Sequence, residues 1–330
     1  MRIAITGATG FLGRHLVGRL TPKHEVVCIS RSGAAPDGCV GKKVDIVKGR
    51  GLKTAFAKAD AVVHAAGMVS HSLDRAEETW SVHVTGTQNV LEAARSAGVA
   101  RFVHVSTSGT IAVSADPTFL GTEQSPPPNE LIASWPYYRS KLYSEQLVMD
   151  ATDLDVVCMN PSLLLGPGDA FGGASTHAVS VFLDHGVPVA PPGTISFVDV
   201  RDAAEAIETA LTKGRSGERY LLAGANLTFA EFYARLARMS GREEPWMAMP
   251  SVTRRALRWF PKWGKAHGIS AGIGPVIGRD DLELACHHWS VDSSKAQREL
   301  DWAPRGPNET LEDTLEDLER QKRQRFDRFR

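Results

Sequence analysis

The sequence predicts an α/β fold: a doubly wound parallel sheet with a smaller C-terminal domain. Three observations predict it. Strand-like runs alternate with segments of helical period through the first half of the chain. The strand-like runs are apolar throughout rather than alternating, which suits strands covered on both faces. A glycine-rich turn begins at Gly7, between the first strand-like run and the first helix-like segment.

The elements follow in order. Short apolar, β-branched runs occupy residues 2–6 (RIAIT), 25–30 (EVVCIS), 61–64 (AVVH), 101–106 (RFVHVS) and 156–159 (VVCM). Helical periodicity marks residues 11–20, 80–97 and 138–151. Between them, residues 115–136 carry Pro117, Pro126, Pro127, Pro128 and Pro136 and read as a long loop, of the kind that often carries function. From residue 166 the texture changes. GPGDAFGGAS is glycine-rich, and 187–200 read as loop and strand. Helices are expected at 203–211 and 229–239 and in the charged tail 310–330, with a less regular stretch at 250–290.

Composition narrows the function classes. The 330 residues include 38 Lys+Arg and 38 Asp+Glu, a balance that argues against a basic nucleic-acid binder. Hydrophobic residues at 42% and charged residues at 23% exclude wholesale disorder. Cys28, Cys39, Cys158 and Cys286 are widely spaced and form no CxxC, so a disulfide scaffold is not expected and a reducing, cytoplasmic setting is. The first residues do not read as a signal peptide, and no run of about 18 apolar residues suggests a membrane span. No metal site is expected: in extended chain the adjacent Cys286, His287 and His288 point to opposite faces.

The glycine turn reads Gly7-Ala8-Thr9-Gly10-Phe11-Leu12-Gly13. Gly7 would allow the tight turn, Gly10 a close approach to a pyrophosphate, and Gly13 close packing of helix on strand. The phosphates would sit at the positive end of the helix. An acidic residue after the second strand would bind the ribose of NAD; Arg31 suits the 2′-phosphate of NADP instead. The expected cofactor is therefore NADP(H), with NAD(H) second. Asp45 and Ile46 are placed at the adenine edge. Ala65, Ala66 and Gly67 end a strand in small residues against which a flat ring can lie.

Tyr137 and Lys141 stand four apart, one helical turn, on one face. A lysine cation near a phenol favours the phenolate, so such a tyrosine can exchange a proton with an alcohol or carbonyl oxygen. Tyr138 is the neighbouring alternative, but only Tyr137 has Lys141 at i+4.

Taken together, TGATGFLG (6–13), HAAG (64–67), VTGTQNVLEAA (84–94), VSTSGT (105–110), YYRSK (137–141), NPSLLLGPGD (160–169), SFVDVRDAAEA (196–206) and SSKAQRELDWAP (293–304) resemble the extended branch of the short-chain dehydrogenase/reductase superfamily, the NAD-dependent epimerase/dehydratases. The resemblance implies a Rossmann domain at 1–165, rejoined by 196–225, and a substrate domain at 166–195 and 226–330. It implies that Ser108 polarises the substrate oxygen, that Tyr137 is the acid/base, and that Lys141 holds the nicotinamide ribose. Pro161 and Ser162 of the NPS motif are counted among the cofactor-binding residues. The family's usual asparagine before VxGT is His83 here, which leaves a brace or a proton relay open for that position.

Within the branch the chain looks most like the dihydroflavonol reductase and 3β-hydroxysteroid dehydrogenase group, implying a fairly apolar, sterol-like or polycyclic ketone or alcohol. Two other readings stand beside it: a nucleotide-sugar epimerase or dehydratase, for which Arg201 or Arg279 would serve a diphosphate, and a non-catalytic NADP-sensing protein. Residues 254–269 and the C-terminal tail mix basic and aromatic side chains and are the candidates for weak contact with a membrane surface. A small-molecule substrate and a homodimer are the partners expected.

Overall fold

The computed structural model describes residues 1–169, 173, 175–250 and 279–327. The aromatic and basic segment 254–269 and the chain end at 328–330 lie outside the described residues.

The first half runs β1 (Arg2–Thr6), α1 (Phe11–Leu20), β2 (Glu25–Ser30), β3 (Val40–Lys43), α2 (Leu52–Ala55), β4 (Ala61–His64), α3 (Ala76–Trp80), α4 (Gly86–Ala97), β5 (Arg101–Val105), α5 (Asn129–Ile132), α6 (Pro136–Met149) and β6 (Asp155–Pro161). After β7 (Leu163–Leu165) come α7 (His177–His185), β8 (Val189–Ala190), β9 (Thr194–Asp199), α8 (Val200–Lys213), β10 (Glu218–Leu222), β11 (Ala225–Thr228), α9 (Phe229–Ser240) and β12 (Met247–Ala248). Helices Arg279–Ala285, Ser294–Leu300 and Pro307–Asp327 follow.

Seven strands form one parallel sheet in the order β10-β6-β5-β4-β1-β2-β3. Both faces are buried, as the unbroken apolar runs required. Ile3 and Ile5 face α1 and α8, while Ala4, Val62 and Phe102 face α2, α4 and α6. The chain steps from β1 outward to β3, then returns to place β4 on the other side of β1. The crevice at the carboxyl ends of β1 and β4 is the topological switch point, where open α/β sheets bind ligands.

Of the segment 196–225, α8 and β10 join the main sheet's layers, whereas β9 belongs to a second sheet, β11-β9-β7. That sheet, with α7, α9 and the helix Pro307–Asp327, builds a separate core around Phe182, Phe197, Phe232 and Leu311. The SSKAQRELDWAP motif packs back on the first domain: Ala296, Leu300 and Trp302 are buried with α8, and Trp302 Nε1 donates to the carbonyl of Asp202 at 2.9 Å.

Many element ends differ from the sequence reading by a few residues, and α5 lies inside the expected loop; two of the differences bear on the site and have a physical reason. The proline-rich loop was expected to run through Pro136, but Pro136 opens α6, because its fixed φ suits the first helical turn. The helix expected at 80–97 is interrupted by a π segment, Ser81–Thr85, which holds the buried His83. Such insertions occur often at functional sites.

Candidate active site

The β1–α1 turn has the shape its glycines predicted. Gly7 has φ +74°, and a side chain there would meet the backbone of Ala65 and Ala66 at 2.7 Å. A Cβ on Gly13 would fall 2.0 Å from the Gly7 carbonyl. The turn and the β4 end are thus packed backbone to backbone. Gly10 caps α1 without a side-chain hydrogen bond, so the first amides of the helix have no side chain to satisfy them. Backbone N–H groups at a helix start, with nothing bulky in front, are what a pyrophosphate needs. The residues present therefore fit a dinucleotide.

The other cofactor candidates divide. Arg31 is exposed at the end of β2 and forms no ion pair with a described residue. Thr9 is exposed, and Phe11 packs edge-on against His15. Asp45 caps its own turn, accepting from Val47 N at 2.9 Å. Ile46 is turned into the core against Gly86, so its side chain is not at the crevice surface. Leu12, Ala65, Gly67, Pro161 and Ser162 line one cavity of about 350 Å³ together with Ser108, Tyr137 and Lys141. The catalytic candidates and a minority of the cofactor candidates thus meet in one space, while Gly7, Gly10, Gly13 and Ala66 of the glycine turn and the β4 end do not line it.

Helix α6 presents Tyr137 and Lys141 to this cavity. The expected effect of the lysine on the phenol is corrected. Lys141 Nζ donates to the Val105 carbonyl at 2.8 Å, so its charge is engaged by the end of β5. Burial pushes Tyr137 up to about 12, opposed only by the influence of the neighbouring Thr107 hydroxyl. Burial also pulls Lys141 down to about 8, while Cys158 and then Glu145, one turn on, pull it back up. Tyr137 is therefore a protonated acid at neutral pH in this state.

Tyr138 is a wall. Its ring packs against Trp289 at 5.0 Å and lies across Gly109, where a Cβ would come within 2.3 Å of the ring. Burial drives its pKa well above that of an ordinary phenol.

His83 is a brace. Met68 N donates to its Nε2 at 3.2 Å, so the proton sits on Nδ1, which donates to Ser140 Oγ at 2.8 Å. Ser140 in turn donates to the Tyr137 carbonyl at 2.9 Å. This chain ties the loop after β4 to the turn that carries Tyr137. Burial, with Lys141 adding to it, holds the imidazole down to about 2. It stays neutral, so a proton relay through its charged form is not supported. His64 is likewise neutral, held between the hydroxyls of Thr6 (2.7 Å) and Thr87 (2.9 Å).

Several site residues were not picked out from the sequence. Thr107 reaches Tyr137, although it stands beside the chosen Ser108 in the same STS run. His71, after β4, lies 6.0 Å ring to ring from both tyrosines and pairs with Asp281 at 3.2 Å. Trp289, Val181, Ile195, Phe229 and Tyr233 complete the far wall. Thr107 apart, no local motif announces these residues. Arg201, offered as a diphosphate ligand, is instead engaged by Asp199 (2.6 Å) and Asp313 (2.5 Å) and does not line the cavity. The side chain of Arg279 lies outside the described residues. No cluster of three or more His, Cys, Asp or Glu able to hold a metal occurs among the described residues.

Comparison with known proteins agrees with this geometry. A family model described as the NAD dependent epimerase/dehydratase family matches residues 3–223. The chain is 29% identical to the sterol demethylase protein B of Methylococcus capsulatus, over 96% of this chain and 97% of that protein. It is 27% identical to a putative dihydroflavonol 4-reductase of Synechocystis, over 90% and 88%. Among solved structures it resembles DesIV, a dTDP-glucose 4,6-dehydratase from Streptomyces venezuelae with NAD bound, at 25% identity and a TM-score of 0.75, covering 97% of each chain. With the glycine turn, the Tyr137/Lys141 pair and the parallel sheet in place, the chain belongs to the NAD-dependent epimerase/dehydratase family, the extended short-chain dehydrogenase/reductases, and is an oxidoreductase of that family.

Proposed function

We propose that this oxidoreductase uses NADP(H) to interconvert a ketone or aldehyde and an alcohol on a fairly apolar, sterol-like or polycyclic substrate. One observation carries the substrate class. Among the described residues, no arginine lines the cavity, and Lys141 is its only lysine. The far wall is instead Val181, Ile195, Phe229, Tyr233, Leu284 and Trp289. A diphosphate needs cationic donors, whereas an apolar polycycle needs large apolar walls. The relatives named a sterol demethylase protein and a dihydroflavonol reductase support the same class.

The cofactor, when bound, supplies hydride exchange. The chain's own groups do the rest. The amides at the start of α1 would hold its phosphates, Arg31 its 2′-phosphate, and Lys141 its nicotinamide ribose. Tyr137 gives its phenolic proton to the substrate oxygen in reduction and takes it back in oxidation. Thr107 supports the phenol oxygen, and Ser108, on the same turn, polarises the substrate oxygen. The wall of Tyr138 and Trp289 excludes water from the reacting face.

Thermal unfolding with NADP⁺ present tests the substrate class. Steroid-like ketones and alcohols should raise Tm, and UDP- and GDP-sugars should not. Stabilisation by sugar nucleotides alone would replace this substrate class with the nucleotide-sugar one and leave the Tyr137 chemistry in place.

A further inference from the structure

Glu145 lies on α6 one turn beyond Lys141, is fully buried, and reaches neither cofactor crevice nor cavity. A carboxylate in such a place must be held by donors. Its Oε2 accepts from Ser106 Oγ at 2.5 Å, Thr110 Oγ1 at 2.9 Å and Asn160 Nδ2 at 2.8 Å. Arg219 Nη2, from β10, stands 3.2 Å from Oε1 as an ion-pair contact.

The donors are not scattered. Ser106 and Thr110 bracket the Thr107–Ser108 turn on both sides. Asn160 holds the turn from a third, since its Nδ2 is also 3.1 Å from the Thr107 carbonyl. The turn therefore hangs from one carboxylate. That carboxylate is rooted in the same helix as Tyr137 and Lys141, with Lys141 anchored to Val105 at the same strand end.

We propose that Glu145 is a positioning residue, which fixes the Thr107–Ser108 turn against the Tyr137/Lys141 face of α6. The consequence is geometric. The hydroxyls on β5's exit and the phenol on α6 belong to segments 30 residues apart, and reaction requires them in one register. A single acceptor with three donors sets that register, because each hydrogen bond to a buried charge is strong and directional. The charge has a second effect: it favours the protonated form of Lys141.

The catalytic part of this proposal rests on the roles given above to Tyr137 and the turn hydroxyls; the tether does not. Two measurements on the full chain separate them. In Glu145→Gln, amide hydrogen exchange across 106–112, read without any ligand, should speed by about tenfold or more while β1–β2 amides keep their wild-type rates. With a ketone that the wild type reduces, kcat should fall by about tenfold or more, with KM for NADPH little changed. The alkaline limb of the pH profile should also move to lower pH, since Lys141 loses its proton earlier without the carboxylate. Thr110→Val removes one donor of three and should show a smaller change of the same kind, and it serves if Glu145→Gln does not fold. Unchanged exchange in the turn would overturn the tether. Faster exchange with kcat and pH profile unchanged would show the network to be only structural. A wild type that reduces no ketone would count against the proposed function and leave the exchange result to decide the tether.

Discussion

Where β1 and β4 end, the crevice is shaped by backbone: Gly7, Gly13, Ala65 and Ala66 approach so closely that an added methyl would collide. In the adjoining cavity, which Leu12, Ala65 and Gly67 of this end also line, the other walls are side chains from β9, α7, α9, the helix Arg279–Ala285 and Trp289. The first region needs particular residues at fixed short spacings, because a turn geometry admits few alternatives. The second needs only volume and apolarity, which many residue combinations supply. One end therefore states its chemistry in a contiguous motif. The other states its ligand only through assembled shape.

Between the two stands Tyr137, and the strongest test of the division is there. Tyr137→Phe should lower turnover by about 10²–10⁴-fold while NADP⁺ affinity, measured by calorimetry, stays near wild type. Tyr138→Phe should be mild, since its ring serves as wall and its hydroxyl is held protonated by burial. Reversed severities would move the acid/base to Tyr138 and undo the assignment.

At the backbone-built end, Arg31→Asp should narrow or reverse the preference for NADP(H) over NAD(H). A charge-assisted hydrogen bond contributes about 1.5–3 kcal/mol, so the ratio of the two dissociation constants should change roughly tenfold or more. Equal affinities in the wild type would remove Arg31 from the phosphate site. At the side-chain-built end the smallest change is expected. Trp289→Phe should raise KM for a polycyclic ketone by a few fold, with kcat and cofactor affinity nearly unchanged. An equal loss in kcat would mean that Trp289 also fixes the reacting geometry through Tyr138.

The sequence was legible where local physics dictates local structure. The apolar runs at 2–6, 25–30 and 61–64 became strands with the same bounds, and FLGRHLVGRL became α1. The spacing of Tyr137 and Lys141 placed both on one helical face. β3 (VGKK) and β10 (ERYLL) were not legible. The first is a mostly exposed edge and the second mixes charge with apolar residues, so neither carries a clear period.

The sequence by itself determined the strand-forming runs, the glycine turn after β1 and the shared helical face of Tyr137 and Lys141, because each depends on residues close together in the chain; the parallel sheet followed from the alternation of those runs with helices. Only the tertiary structure decided the environment of those groups. It spent the Lys141 ammonium on Val105 and raised Tyr137 by burial. It set His83 as a neutral brace, withdrew Arg201 into its ion pairs, and hung the Thr107–Ser108 turn from Glu145. Apart from Asp199, the near neighbour of Arg201, those outcomes depend on desolvation and on partners 30 to more than 100 residues away in the chain, and no local spacing encodes either.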